Sequence, residues 1–365
     1  MANKITKYMS KELNKPVSNT DLLNLIREYG SDEYKATIPE FSPKAKINHK
    51  NIPYSDFEVV QNEFFSILIN RIGSTVIKAL MYENPLGVFR SELFEQGSTL
   101  QEIYVGLADE ENYDAKSNVS PFKFADTDLR VFYHDINREK VYTRTINKAW
   151  TVKAFTSDLA FDEFINKMFD SLIASDTVDE FEKVKEVLTA SLSEVTVRDK
   201  QGNNQVVTVK STEIDTNADD YILEFNKKLI KQSNLFNVPS RTRFENAIGV
   251  PMVTPVEEQY LIISADFSSE LDSLLANAFN IDKATVLARK IVIDEFPTFT
   301  GGGKHQGAKP IAMLVSSKSI ILKDKLIQLT HQYNAKTLSF NYFYHHQELV
   351  SFSLIENMHV FYTKE

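Results

Sequence analysis

The chain has 365 residues, 42% of them hydrophobic and 25 of them Phe, enough to bury a large core and to fold as two lobes. Asp and Glu total 50 against 41 Lys and Arg, a formal net charge of -9, which disfavours an overall electrostatic grip on nucleic acid while leaving room for a local basic patch. Cysteine is absent, which excludes disulfides, thiolate nucleophiles and Cys-ligated metal centres; no apolar run fits a signal peptide or a membrane span, so neither is expected.

The first fifty or so residues are polar. DLLNLIREYG is a short amphipathic piece that Asp21 can cap and Gly30 can stop, and KATIPEFSPKAKINHKNIP, with three prolines, reads as an extended arm whose Ile38, Phe41 and Ile47 suit another surface. In DFEVVQNEFFSILINRIGSTVIKAL, Val60, Phe64, Ile67, Leu68 and Ile72 fall at helical spacing, and STVIKAL reads as a core strand.

Residues 83–150 mix Gly, Pro, charge and isolated aromatics without a sustained period. Within them VFYHDINREKVYTRTINKAW alternates around a turn at Asp135 to Glu139 and predicts a hairpin of two exposed strands. A structureless loop this long is uncommon inside a compact domain and an isolated two-stranded ribbon is marginal in water, so a protruding flap covered from outside its own domain is expected.

Ser157 or Asp158 can cap the strongest helix. Phe161, Phe164, Ile165, Met168, Phe169, Leu172 and Ile173 form one apolar stripe that breaks at Ser175 and Asp176 and resumes with Phe181, Val184 and Leu188. Two helices meeting there, or one helix from about 158 to 192 with a phase slip, both fit; a single helix would span roughly 50 Å.

EVTVRDKQGNNQVVTVK predicts a hairpin around Gly-Asn-Asn. A second lobe then starts after Asp215, with YILEFNKKLI (helix), YLIISADF (strand), SSELDSLLANAFN (helix), RKIVIDEF (strand) and PIAMLVSS (strand), a mixed pattern of strands and short helices. The aromatic, β-branched stretch from TLSFNYFYHH to the end is expected to return to the first lobe's sheet.

TGGGKHQGAK, residues 300–309, invites a phosphate-loop reading, which fails on three counts. Thr298 stands where the first Gly of a Walker loop belongs, His305 stands where a Mg-ligating hydroxyl belongs, and the next element reads as a strand where phosphate needs a helix N-terminus. His345 and His346, adjacent on an expected strand, point to opposite faces and cannot chelate one ion together. His134 beside Asp135 reads as a solvated turn and ADEENYD as a solvated charge run; G-x-S-x-G and H-E-x-x-H do not occur. No catalytic residue, cofactor or metal site is expected, and the outline of arm, flap, long helix and two lobes favours a structural part.

Several stretches resemble the major capsid proteins of small protein-primed podophages of the phi-twenty-nine type: VQNEFFSILINRIGSTVI, NPLGVF with TLQEIYVGLADEENYDA, VFYHDINREKVYTRTI, LIISADFSSELDSLLANAFNID and NYFYHH, in order and with spacing kept. The resemblance implies an α+β chain with the tailed-phage major capsid fold. Its parts would be an N-terminal arm (1–55), a first part of the peripheral lobe (56–82), an extended β-hairpin loop (83–150), a long spine helix with more of the peripheral lobe (151–214), an axial lobe (215–345) and C-terminal strands of the peripheral lobe (346–365). The best-known relative carries an immunoglobulin-like C-terminal domain, which is not seen here up to Glu365.

The implied function is self-assembly of pentamers and hexamers into an icosahedral shell around double-stranded DNA held without sequence specificity. A scaffolding protein, a portal and head fibre proteins would be possible partners, and assembly would take place in the host bacterial cytoplasm. Phe89, Phe94, Phe122 and Phe124 are expected to be exposed in a monomer and buried on a neighbour. Arg138, Lys140 and Arg144 are expected to pair with a neighbour's acids, and Lys304 and Lys309 to lie in a flexible loop near a capsomer centre. An encapsulin-like compartment shell is the alternative, since it would share the fold.

Overall fold

The computed structural model describes residues 83–91, 97, 99–108, 110, 128–147, 158–198, 203–218, 220–277, 289–337 and 339–364, with 24, 27, 28, 30–37 and 40 near the start. The expected helix and strand between residues 56 and 80 lie outside them, as do Ile38, Phe41 and Ile47 of the arm. Two compact units emerge: one holds Met1–Tyr82, Lys140–Asp176 and Ile327–His345, the other Glu83–Glu139, Thr177–Leu326 and His346–Glu365.

After a short helix α1 (Asp32–Thr37), the described elements in chain order begin with a 3-10 turn (Pro85–Phe89), β1 (Arg90–Ser91), β2 (Thr99–Val105), β3 (Leu129–Asp135) and β4 (Arg138–Asn147). Next come α2 (Asp158–Ala190), β5 (Val195–Arg198), β6 (Asn204–Val207), β7 (Lys210–Glu213), α3 (Tyr221–Asn237), β8 (Gln259–Ser264) and α4 (Ala265–Asn277). The remainder is strand: β9 (Arg289–Ile293), β10 (Ala308–Ser316), β11 (Ile320–Asn334), β12 (Ser339–Phe352) and β13 (Met358–Lys364).

The second unit is built on a five-stranded sheet in the order β7-β13-β10-β8-β9. β8 runs antiparallel to β10 and parallel to β9, while β13 runs antiparallel to β10 and parallel to β7. Because successive strand residues face opposite sides, a sheet covered on both faces needs continuous apolar runs. LIIS and IAMLV supply them. Tyr260, Ile262, Met313, Val315, Val360 and Tyr362 pack with Val184 and Leu188 of α2 and Leu192 just beyond it, whereas Leu261, Ile263, Ala312, Leu314 and Phe361 pack with Phe225, Leu229 and Phe236 of α3 and Leu271 of α4. Full burial of such a side chain stabilises by about 1.5–3 kcal/mol, so the two layers together hold the unit. At Pro310 to Ala312 the β10–β13 register slips, and this lets Ile311 join the α3 side beside Ala312.

In this sheet β13 lies between β7, from the stretch 151–214 expected in the peripheral lobe, and β10, from the stretch 215–345 expected in the axial lobe. Alternation along a strand says which residues face a core, but not which strand lies alongside.

The choice left open for 158–192 is resolved as one helix, α2, 33 residues long. Its buried positions continue straight through the break in the apolar stripe: Leu172, Ile173, Asp176, Thr177, Glu180, Val184, Leu188. Polar side chains take the inward face for about one turn, so the apparent phase slip was a change of chemistry with no change of geometry. β5 and β6 form the expected hairpin, Val195 opposite Val207. α4 starts at Ala265, so ADF belongs to a helix and not to the end of β8.

In the first unit the aromatic run of β12 forms its own small stack. His331 lies over Tyr342 at 6.2 Å, Tyr333 packs on Phe340 at 5.0 Å, and Tyr142 meets Tyr344 at 6.4 Å. β4 and β11 flank β12 in the sheet order, and Thr145 donates to Asn341 Oδ1 at 2.7 Å.

Candidate assembly surface

The expected hairpin of β3 with β4 does not form. β3 pairs with β2, Thr99 opposite Asp135 through Val105 opposite Leu129, while β4 turns away and joins β12. β2 carries apolar residues on both faces, which blurs its alternation: its inward residues are Leu100, Glu102 and Tyr104, and its outward residues include Ile103 and Val105.

The inward face is well partnered. Tyr104 is buried with Ile248, Val250 and Ile355, and Phe132, Met252 and Leu354 pack around them. Glu102 accepts from Ser353 Oγ at 2.6 Å and faces His134 Nε2 at 3.3 Å, and His134 Nδ1 meets Ser351 Oγ at 2.8 Å. Arg130 donates to the Ile248 carbonyl at 3.0 Å. At its far end Gly106 donates to the Asp128 carbonyl at 2.7 Å, so close that a Cβ on residue 106 would meet Asp128 Cβ at 2.6 Å. The expectation of a flap left uncovered by its own chain is therefore corrected: one face of the ribbon is seated on its own unit.

The outward face is not covered. Val105, Leu129 and Tyr133 are 59%, 60% and 66% exposed, Ile103 and Leu107 more than half, and the register sets Ile103 against Val131 and Val105 against Leu129. Five apolar side chains, Ile103, Val105, Leu129, Val131 and Tyr133, thus share one face of a two-stranded ribbon whose other face is fixed, and Leu107 follows just past β2. Contiguous apolar surface of this kind marks a contact site in soluble proteins.

At the root of the ribbon the chain is tied down by charge. Asn137 donates to the Val350 carbonyl at 2.7 Å and accepts from its amide at 3.0 Å. Arg138 Nη1 donates to Glu348 Oε1 at 2.6 Å and reaches His346 Nδ1 at 3.3 Å. His346 Nε2 faces Asp324 Oδ1 at 3.1 Å, Arg90 bonds both Asp324 and Glu180, and Asn84 donates to Glu180 Oε1 at 2.6 Å. Burial alone pushes the Asp324 carboxyl up, but the hydrogen bond from His346 and the charge of Arg90 outweigh it and hold the group below its usual value. Asp324, His346 and Glu348 are close enough for a cation. A guanidinium can only donate, however, so Arg138 makes His346 Nδ1 the acceptor and leaves the ring proton on Nε2, where a metal would need a lone pair.

The glycine stretch is a closed turn. The Phe299 amide donates to the Ala308 carbonyl at 2.8 Å, Gly303 and Gly307 take φ of 93° and 75°, and the buried His305 holds the Leu192 carbonyl through Nδ1 and Ser211 Oγ through Nε2. Side chains with a Cβ avoid that backbone region, which accounts for two of the glycines. The expected flexible loop is thus pinned at its centre.

Of the residues singled out from the sequence, two are placed against expectation. Phe89 is 5% exposed, packed edge-on to Tyr260 at 5.1 Å in the core, because the 3-10 turn begun by Pro85 rolls it inward with Leu86. Arg138 is 2% exposed and paired within its own chain, so it is not available to a neighbour's acids. Lys140 and Arg144 are exposed, as is Lys304, and Lys309 pairs with Glu295 at 2.7 Å. Phe94, Phe122 and Phe124 lie outside the described residues. Glu102, Glu348, Arg90 and Asp324 were not foreseen; no local motif marks a charge whose partner is more than 200 positions away.

The family model for Phi29-like phage major capsid protein matches residues 23–362. The chain belongs to this family. It is 54% identical over 365 residues to the major capsid protein of Streptococcus phage Cp-1, covering 100% of both chains, and 29% identical over 345 residues to that of Bacillus phage B103, covering 94% of this chain and 72% of the relative. Its fold is that of tailed-phage capsids: the solved capsid structure of Staphylococcus phage Andhra aligns with a TM-score of 0.57 over 77% of this chain and 84% of the other, at 11% identity. As a phage major capsid protein it is a structural component of the virion, and the α+β fold expected from the sequence is the one observed.

Proposed function

We propose that this capsid protein assembles as pentamers and hexamers into an icosahedral shell around the double-stranded DNA of a short-tailed phage. The observation that carries the reading is the ribbon β2–β3, seated on its own unit by one face and bare on the other, where Ile103, Val105, Leu129 and Tyr133 await a sister subunit. Covering half-exposed apolar side chains yields on the order of 1 kcal/mol each, too little for a lone dimer but enough when symmetry repeats the contact around a closed shell.

Lys140 and Arg144, exposed on β4, suit rim pairs that set register with a neighbour, and the pinned turn carrying Lys304 suits the edge of a capsomer centre. Residues 1–55 serve as an arm on adjacent subunits. A net charge of -9 keeps packed DNA from adhering to the wall, so the genome is held without sequence specificity and released readily. A scaffolding protein, a portal and head fibres complete the particle, which forms in the host bacterial cytoplasm. Membership of the capsid family weighs against an encapsulin-like compartment.

The test is electron microscopy of the protein purified with and without a co-expressed scaffold, beside the Val105→Asp/Leu129→Asp double variant. Shells from the wild type and folded, unassembled protein from the variant support the reading. Shells of normal yield from the variant remove the ribbon face from it.

A further inference from the structure

The strand β1 just before the ribbon β2–β3 and the strand β4 just after it each carry an arginine fixed on buried carboxylates. Arg90 of β1 bonds Glu180 of α2 and Asp324 of β11; Arg138 of β4 bonds Glu348 of β12. His346 joins the two halves, facing Asp324 through Nε2 and Arg138 through Nδ1. Six side chains, Glu180, Arg90, Asp324, His346, Arg138 and Glu348, therefore form one continuous hydrogen-bonded chain from β1 to β4.

One group in it is incompletely satisfied. Glu348 is fully buried, and while Oε1 accepts from Arg138, Oε2 has no hydrogen-bond partner and lies 3.8 Å from His346 Nε2. When Glu348 is ionised, Oε2 carries charge in a fully buried position without a hydrogen bond, beside the buried carboxylates Asp324 and Glu180 and with Asp176 next to Glu180 and His346. Such a charge is expensive to bury.

We propose that this chain is a proton-operated latch, in which the ionisation of Glu348 decides whether β1 and β4 stay clamped together at the root of the ribbon. The charged groups around Glu348 are Arg138 from β4, His346 from its own strand, Asp324 from β11, Glu180 from α2 and Arg90 from β1, with Asp176 of α2 beside Glu180 and His346. Burial first and the charge of Glu180 second push the Glu348 carboxyl up to about 7, against the opposing pull of His346, Arg138 and Arg90.

An opened root would let water reach Oε2 and return the group toward its ordinary 4.5. The clamped form thus binds the proton more tightly, and opening releases it. Raising the pH from about 5 to about 7 favours opening by up to about tenfold per unit; beyond that both forms are ionised and the dependence ends. The latch rests on the assembly reading, since it regulates how firmly the ribbon is presented to a neighbour.

Hydrogen exchange on the soluble full chain tests it without needing shells. The probe is a set of peptides covering 136–140 and 346–352, because the Val350 amide is held by the Asn137 side chain. Protection factors, corrected for intrinsic exchange, are expected to fall tenfold or more between pH 5 and 7 in the wild type and to stay flat in E348Q. An equal slope in E348Q, or no slope in the wild type, overturns the proposal. R138Q removes a charge that holds the carboxyl down, so its slope should extend to higher pH; an unchanged break point would also overturn it. Shells that never form while the slope behaves as described defeat the assembly reading and leave the latch standing.

Discussion

Arg138 and Glu348 meet at 2.6 Å with 1% and 0% of their side chains exposed, a buried ion pair 210 positions apart in the chain. Removing one partner strands the other, which in general costs about 3–5 kcal/mol, whereas replacing both by apolar groups of similar size is often near neutral. R138M is therefore expected to lower the unfolding free energy strongly at pH 8 and less at pH 5, where Glu348 takes up a proton. R138M/E348M should recover most of the loss. Denaturant unfolding of the single and double variants at both pH values checks this.

His359 titrates against Glu348. Burial above all holds the His359 ring down to about 4, against the opposing field of Glu245, so it stays neutral in the fold while an unfolded chain protonates it near its ordinary 6.5. Its contribution is present above 6.5 and is lost as pH falls from there toward 4. Glu348 runs the other way, since its raised value makes the folded state gain as pH falls from about 7 toward 4.5. H359Q should flatten the loss of stability on the acid side in thermal melts at pH 4 to 7, while E348Q should make it steeper.

The α3 face of the sheet depends on Phe225, which is fully buried and packs edge-on to Phe361 at 5.2 Å. Phe225→Ala is expected to cost about 3–5 kcal/mol through lost burial and the cavity left behind. A shift of the unfolding midpoint without a change in its denaturant dependence would match; a loss below 1 kcal/mol would show that the face collapses to fill the space.

These expectations separate what local sequence states from what it does not. The strands of the five-stranded sheet were readable because two-sided burial demands unbroken apolar runs, as in LIIS and IAMLV. The β5–β6 hairpin was readable from its valines and turn. The ribbon was not, because both faces of β2 carry apolar side chains, with Glu102 facing inward to Ser353 and His134 while Ile103 and Val105 face out. Arg138 looked like a surface charge for a related reason: in sequence it stands among Asn137, Glu139 and Lys140, and only the fold brings Glu348 to it. In this ribbon apolar side chains stay outside, and polar ones help to hold the inner face.

Gly106 offers a check on the ribbon itself. A methyl at that position would lie 2.6 Å from Asp128 Cβ, so Gly106→Ala must separate the strand ends and loosen the 2.7 Å bond to the Asp128 carbonyl. Overpacking of this kind costs about 1–3 kcal/mol. Faster exchange at Tyr104 and Val105, with melting of the five-stranded sheet unchanged, is the expected outcome.

Charge reversal on β4 tests the rim. K140E/R144E leaves every buried group in place, since both side chains are exposed. Circular dichroism should match the wild type while shell yield falls, and undiminished yield would remove these two residues from the contact.

The position of β13 bears on timing during synthesis. Residues 358–364 fill the gap between β7 and β10, two strands made about 100 residues apart and well before it. Until the ribosome has added them, β10 offers an open backbone edge and β7 has no neighbour in the sheet. A partly translated subunit therefore cannot complete this sheet.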